Sequence, residues 1–249
     1  MARTDLTVPT RDGHCPASLF TPAQGNGPWP GVVFFMDGLG IRPALFQMAQ
    51  QLADMGYAVL LPDLYYRTGP YEPMVPAKVF ADPALIDNLM RMIGTLDRDR
   101  KVADAGAFMD FLAARPEVQG LPLGTTGYCM GGNIALTAAG GFPQRLAAIA
   151  SFHGGGMATD QADSPHRFVE GITGTVYVAG ADADTHFTQE QKDTLEQALN
   201  EAGVPHTVEI WAGAHHGFAV PDHPAFDAAA SERHWKVLAD LFGRSLHAR

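Results

Sequence analysis

The sequence predicts an α/β fold: a mostly parallel, doubly wound sheet flanked by helices, built as a single domain over residues 1–249. Apolar runs of strand length alternate along the chain with stretches whose apolar residues recur at helical spacing. Several of those runs are apolar without alternation, as strands covered on both faces require. Residues capable of chemistry stand directly after the runs, at the strand ends where open parallel sheets bind ligands.

Taken in order, residues 6–8 and 17–20 flank Asp12-Gly13, a hairpin signal, and Cys15 within this hairpin reads as structural. Residues 22–30 form a connection rich in glycine and proline. Residues 31–36 are the first buried strand, ending in Asp37-Gly38-Leu39-Gly40. Pro43 opens a helix marked by Leu45, Met48, Leu52 and Met55, and Gly56 closes it. Residues 57–61 are the next strand. Residues 64–81 hold Arg67, three tyrosines and several prolines, and read as a long irregular loop. Asp82-Pro83 caps a helix reaching about Gly94. A second helix covers 97–115, with Val102, Ala105, Met109 and Leu112 as its buried stripe.

A short strand, 123–126, then leads into Gly127-Tyr128-Cys129-Met130-Gly131-Gly132 and a helix-forming stretch, 133–139. Further strands at 146–151, 175–179 and 207–211 end at His153, at Asp182-Ala183-Asp184 and at His215-His216. Helices are expected over 189–202 and 226–242.

Composition narrows the function. A hydrophobic content of 46% and charged content of 18% are those of a globular protein. A formal net charge of −10, with no Lys/Arg-rich block, argues against nucleic acid or an anionic membrane as partner. The first residues lack an apolar signal core and no apolar run reaches bilayer-spanning length, so a cytoplasmic monomer or homodimer is expected. Two cysteines make no disulfide framework, and a reducing compartment suits a free thiol.

Strand, tight turn and helix around Cys129 form a nucleophile elbow with cysteine in the place serine usually takes. Glycines on either side allow the close backbone approach that such a turn imposes. The N–H of Met130 would then face a developing oxyanion. Nucleophile, then an acid after one strand, then a histidine after the last is the triad order of α/β-hydrolases. The thiolate attacks, the imidazole moves protons, and the carboxylate orients the imidazole. Asp182 and Asp184 compete for the acid, and Asp182 is preferred because it is nearer the strand end. His216 is preferred to its neighbour His215. A buried inert Cys129 is the plain alternative. A zinc site from His153, His215 and His216 lacks the spacing of known zinc motifs, and the Asp-x-Asp pair lacks the rest of a calcium loop.

With these residues in place the chain resembles the dienelactone hydrolases (carboxymethylenebutenolidases) over nearly its whole length. The resemblance rests on the Gly-Tyr-Cys-x-Gly-Gly elbow and on Pro62-Asp63-Leu64-Tyr65. It also rests on Gly180-Ala181-Asp182 and His216-Gly217-Phe218. It implies the acid Asp182 and the base His216, and a second oxyanion donor in the N–H of Gly38. It further implies an acid, here Asp37, that modulates the thiol. The family's substrate-binding arginine four residues after the histidine is replaced by Val220. Tyr66, Arg67, His153 and Phe218 are candidates for lining the pocket.

The expected activity is cysteine-dependent hydrolysis of a small ester or lactone through an acyl-enzyme, with no metal or organic cofactor. A general carboxylesterase or thioesterase is the alternative that Val220 favours. A non-catalytic or thiol-redox protein on the same fold is the third reading.

Overall fold

The computed structural model describes residues 2–247. Among them eight strands form one sheet in the order β1-β2-β4-β3-β5-β6-β7-β8. β1 (Ala2–Thr10) and β2 (Gly13–Thr21) make the antiparallel hairpin at one edge, and β2 pairs antiparallel with β4 (Ala58–Pro62). From there every neighbour is parallel: β4 with β3 (Gly31–Phe35), then β5 (Leu123–Tyr128), β6 (Leu146–Phe152), β7 (Thr175–Ala181) and β8 (His206–Trp211). β3, β4 and β5 are buried at every position, which is why their sequences do not alternate.

Helices begin where the sequence supplies a cap or a proline. Proline occupies the first turn of α1 (Pro43–Asp54), α2 (Pro76–Val79) and α3 (Pro83–Ile93), where its missing N–H costs nothing. Side chains of Asp82, Asp97, Thr188 and Asp227 cap α3, α4 (Arg98–Ala113), α6 (Gln189–Glu201) and α7 (Ala228–Leu246) by accepting from first-turn N–H groups. α5 (Met130–Gly141) has no side-chain cap, because Cys129 holds the capping position. The stretch 64–81 is less irregular than expected: it contains a 3₁₀ turn, Tyr66–Thr68, and α2.

The floor beneath the elbow is aromatic. The Tyr128 ring lies 4.9 Å from Phe34 and 5.8 Å from Phe152, and its hydroxyl meets His234 Nε2 on α7 at 2.7 Å. Burial pushes the His234 pKa down to about 3, so a neutral imidazole completes this hydrogen bond. A second, smaller cluster of Leu39, Val79 and Leu89, with Met74, Ile86 and Ile93 against it, ties α2 and α3 to the end of β3. We call this module the cap. Among the described residues no helix is long and apolar enough to cross a membrane.

Candidate active site

Cys129 stands at φ 53°, directly after β5, and its N–H continues the ladder to Phe152 O at 3.1 Å. The turn closes only because glycines flank it. A Cβ on Gly127 would strike the carbonyl of Gly131, one on Gly131 would strike the carbonyl of Phe35, and one on Gly132 would strike Ser151 Oγ. The Met130 N–H opens α5, where the first amides of a helix have no partner within it. Two other described non-glycine residues have positive φ: His153 (41°) after β6 and Ala183 (52°) after β7. Strain is thus confined to the ends of three adjacent strands.

The Ala183 turn corrects the choice of acid. β7 runs to Ala181, so Asp182 leaves the strand exposed, and its carboxylate accepts from Gly213 N at 2.9 Å. The left-handed residue then reverses the chain and delivers Asp184 inward, where it is buried. Asp184 Oδ2 lies 2.6 Å from His216 Nδ1, and Oδ1 accepts from His186 N at 2.8 Å. Asp184, not Asp182, is the partner of His216, since orientation and not distance from the strand end selects it. His215 is exposed.

Electrostatics follow from this pairing. Burial would push the His216 pKa down, but Asp184 and the Cys129 thiol overcome it and raise it to about 10. Asp184 shows the converse: burial would raise its pKa, and the bond to His216 brings it below the usual carboxylate range. Among the described residues no aligned hydrogen bond joins Cys129 Sγ to the ring. Cys15 is a contrast: fully buried in β2, with Sγ donating to Asp63 O at 3.3 Å, its thiol is pushed well up by desolvation. Both cysteines are free.

The loop after β3 is braced from three directions. Arg42 grips Asp37 through Nη1 and Nη2 (2.6 and 2.8 Å), and Asp222, six residues after His216, through Nε and Nη2 (2.8 and 2.9 Å). Asp37 Oδ1 also accepts from Leu39 N at 3.0 Å. Tyr65 donates to Gly38 O at 2.7 Å, and Asp63 accepts from Tyr65 N and from the Tyr71 hydroxyl, each at 3.0 Å. The Pro62-Asp63-Leu64-Tyr65 motif therefore holds the segment carrying Gly38. The Asp37 carboxylate is taken up by Arg42 and Leu39 N, with no hydrogen bond to Cys129 among the described residues.

Cys129, Met130, Asp37, Gly38, His153 and His216 all line one cavity of about 300 Å³. Its apolar side comes from the cap and its neighbours, including Leu39, Phe80, Leu89, Met90 and Ile93. Its polar side adds Lys101, Asn133, His186 and His223. Three of the four pocket candidates lie elsewhere. Tyr66 bonds Thr10 and Asp104, and Arg67 is held by Asp104 and Asp12, all beside the β1–β2 hairpin. Phe218 is fully buried behind the site, 5.0 Å from both His153 and Trp211. His153 alone reaches the cavity.

Sequence reasoning missed Lys101. It sits in the first turn of α4 with Nζ 3.0 Å from Asn133 Oδ1, and Asn133 Nδ2 donates to Gly155 O and Gly156 O. Burial lowers the Lys101 pKa, against the more distant pull of Asp163 and Asp97. Lys101 borders the apolar stripe of its helix, a position that reads as surface until the fold brings α5 against it. Among the described residues no three His, Cys, Asp or Glu side chains are grouped to hold a metal.

The sequence model of the dienelactone hydrolase family matches residues 15–246. This chain belongs to that family. A carboxymethylenebutenolidase from Rhodococcus opacus is 26% identical over 242 residues, 94% of this chain and 88% of its own length. A Yersinia pestis relative, provisionally named a carboxymethylenebutenolidase, is also 26% identical, over 96% of this chain and 86% of its own. Among solved structures, a dienelactone hydrolase-like promiscuous phosphotriesterase from metagenomic libraries superposes with a TM-score of 0.78 at 28% identity, covering 98% of this chain and 99% of that one. Like other dienelactone hydrolases, then, the chain carries an α/β-hydrolase fold.

Proposed function

We propose that this hydrolase cleaves a carboxylic ester or lactone through a thioester on Cys129, with His216 and Asp184 completing a triad. The observation that carries the reading is the His216 ring, held by Asp184 at 2.6 Å through Nδ1 and lining the same cavity as Cys129; both groups act to raise its pKa. The thiolate is the nucleophilic form of cysteine, and His216 is the group placed to take the thiol's proton. The thiolate attacks the carbonyl carbon, and the N–H groups of Met130 and Gly38 face the oxyanion. His216 gives its proton to the departing alkoxide. Water then attacks the thioester and passes a proton to His216, and the C–S bond breaks. Asp37 acts in this reading by fixing the loop that presents Gly38, through Arg42 and Leu39 N.

A second reading, a neutral ester in place of an anionic lactone, is favoured by the cavity walls. Among the described residues no arginine lines it, and Val220, at the family's arginine position, is 0% exposed in the core. Lys101 lines its polar side with its ammonium donating to Asn133 Oδ1, and burial there disfavours the charged form.

Hydrolysis of p-nitrophenyl acetate and of a dienelactone, by wild type and Cys129→Ala, tests both. Dienelactone turnover that disappears in the variant supports the family activity. Turnover of the neutral ester alone supports the second reading. A variant as active as wild type on every substrate defeats the thioester mechanism.

A further inference from the structure

The reactive cavity has two unlike walls. Leu39, Leu89, Met90 and Ile93 make one of them apolar. The other carries Lys101 and Asn133, both half-buried and both lining the cavity. Asn133 stands four residues after Cys129, one turn along α5, an axial rise of about 6 Å. Its amide is fixed, because Nδ2 donates to Gly155 O at 3.2 Å and to Gly156 O at 3.0 Å. Oδ1 is thereby turned toward Lys101 Nζ, 3.0 Å away. A lysine ammonium carries three donors, and among the described residues Asn133 Oδ1 is the one acceptor that Nζ meets. No described carboxylate forms an ion pair with it. Asp97 and Asp163 act on its charge from farther off, and burial works against the charged form. What the ammonium lacks is acceptors for its remaining donors, on a wall that loses water when substrate binds.

We propose that Lys101 is a specificity-determining residue that donates to a neutral oxygen, as in a ketone or ether, on the acyl arm of the substrate. This deepens the thioester mechanism proposed for Cys129 and rests on it. Topology places the contact on the acyl side. α4 packs against α5, β3 and β4, whereas His216, which protonates the leaving group, follows β8. In the sheet order, β5 with Cys129 at its end lies between the two. The leaving oxygen faces His216, so the arm that stays on Cys129 extends toward α4. One helical turn from Cys129 to Asn133 is within reach of an oxygen near the end of a short acyl chain. A purely apolar arm strips water from Nζ and returns no acceptor, whereas an oxygenated arm replaces that water. A site built to bond an oxygen in this way rejects the analogue that lacks it. An anionic arm gains less, because Asp97, Asp163 and the attacking thiolate all repel it.

The test compares three p-nitrophenyl esters that share one leaving group: pentanoate, 4-oxopentanoate and the glutarate monoester, which ends in a carboxylate. kcat/KM is measured for wild type, Lys101→Met and Lys101→Gln. Lys101→Met should lower kcat/KM for the oxo ester about tenfold more than for pentanoate, the scale of a hydrogen bond from a charged donor. Comparing variants cancels the intrinsic reactivity of the esters. Lys101→Gln keeps an N–H donor and should recover part of the difference. If Lys101→Met loses the two esters equally, or loses neither, Lys101 is a structural residue and the proposal is overturned. A loss concentrated on the glutarate monoester overturns it too, since the site would then be one for anions. Failure of the underlying mechanism looks different: Cys129→Ala would then hydrolyse all three esters as wild type does.

Discussion

The two sides of the cavity are built on opposite principles. The side formed by the ends of β5, β6 and β7 is fixed by strained backbone at Cys129, His153 and Ala183, by glycines in van der Waals conflict with any larger residue, and by short hydrogen bonds among buried groups. The cap side rests on a small cluster of its own around Leu39, Val79 and Leu89, and leaves Phe80, Leu85 and Met90 partly in solvent. Its contact with the histidine loop includes one edge-on aromatic pair, Phe80 with His223, at 5.2 Å. Reaction chemistry is sensitive to displacements of an ångström, whereas binding an apolar body is not. The rim can therefore tolerate almost no change, and the cap can change with the substrate.

The largest effects should come from the rim. On the proposed mechanism Cys129→Ala should lower kcat/KM for the cleaved ester by about 10⁴-fold or more, since no other group of the site can take the place of the attacking thiol. Asp184→Asn should lower kcat by about 10²–10⁴-fold, because the amide can no longer stabilise a protonated His216. Asp182→Asn, two residues away, should leave kcat within about twofold, because its carboxylate meets only Gly213 N at the surface. Steady-state kinetics of the two variants side by side would break the comparison if their ranking were reversed.

That pair also marks what the sequence could and could not disclose. The strand runs, the glycine-flanked turn at Cys129 and the placing of Cys129, an aspartate and His216 after strand ends were legible, because buried parallel strands and glycine-flanked turns leave compositional traces. The choice between Asp182 and Asp184 was not. It depends on one left-handed residue, Ala183, whose side chain carries no hint of that conformation. Tyr66 and Arg67 misled for a related reason: they follow a strand end, but Asp104 on α4 draws them toward the hairpin. Lys101 and the cap residues were hidden because pocket walls come from segments joined only by the fold. Pro62-Asp63-Leu64-Tyr65 was recognisable as a pattern, while its bracing of Gly38 needed coordinates.

The clamp at Arg42 bridges the β3 loop and the histidine loop, so it tests whether rim rigidity is one unit. Arg42→Met leaves buried Asp37 without its cation and frees Asp222. Breaking a buried pair in this way costs about 3–5 kcal/mol. Denaturant unfolding should show a loss of that order, together with lower kcat as Gly38 and His216 lose their common anchor. Stability close to wild type would mean that the two loops are held independently.

A subtler signature lies in pH. His216 is raised from 6.5 to about 10 in the folded protein, so its contribution to stability is fully present below about pH 6.5 and fades as pH rises through 10. Asp184, lowered from 3.8, contributes above that value and loses its contribution as pH falls through the folded pKa. The difference in Tm between wild type and His216→Asn should therefore be greatest between about pH 5 and 6.5 and shrink toward pH 10. A difference independent of pH from 5 to 10 would show that the folded protein does not hold the proton on His216.

The smallest effect belongs to the cap. Met90 lines the cavity from α3, while more than half of its surface faces solvent. Truncation at Met90→Ala removes apolar contact with a bound substrate without opening a void in the main core. Partial burial of such a side chain against a ligand is worth about 1 kcal/mol, or roughly fivefold in affinity. KM for an ester with a long apolar acyl chain should rise by about that factor, KM for an acetyl ester should hardly move, and kcat should stay unchanged for both. A fall in kcat of tenfold or more from this substitution would erase the distinction between the two sides and make the cap part of the catalytic apparatus.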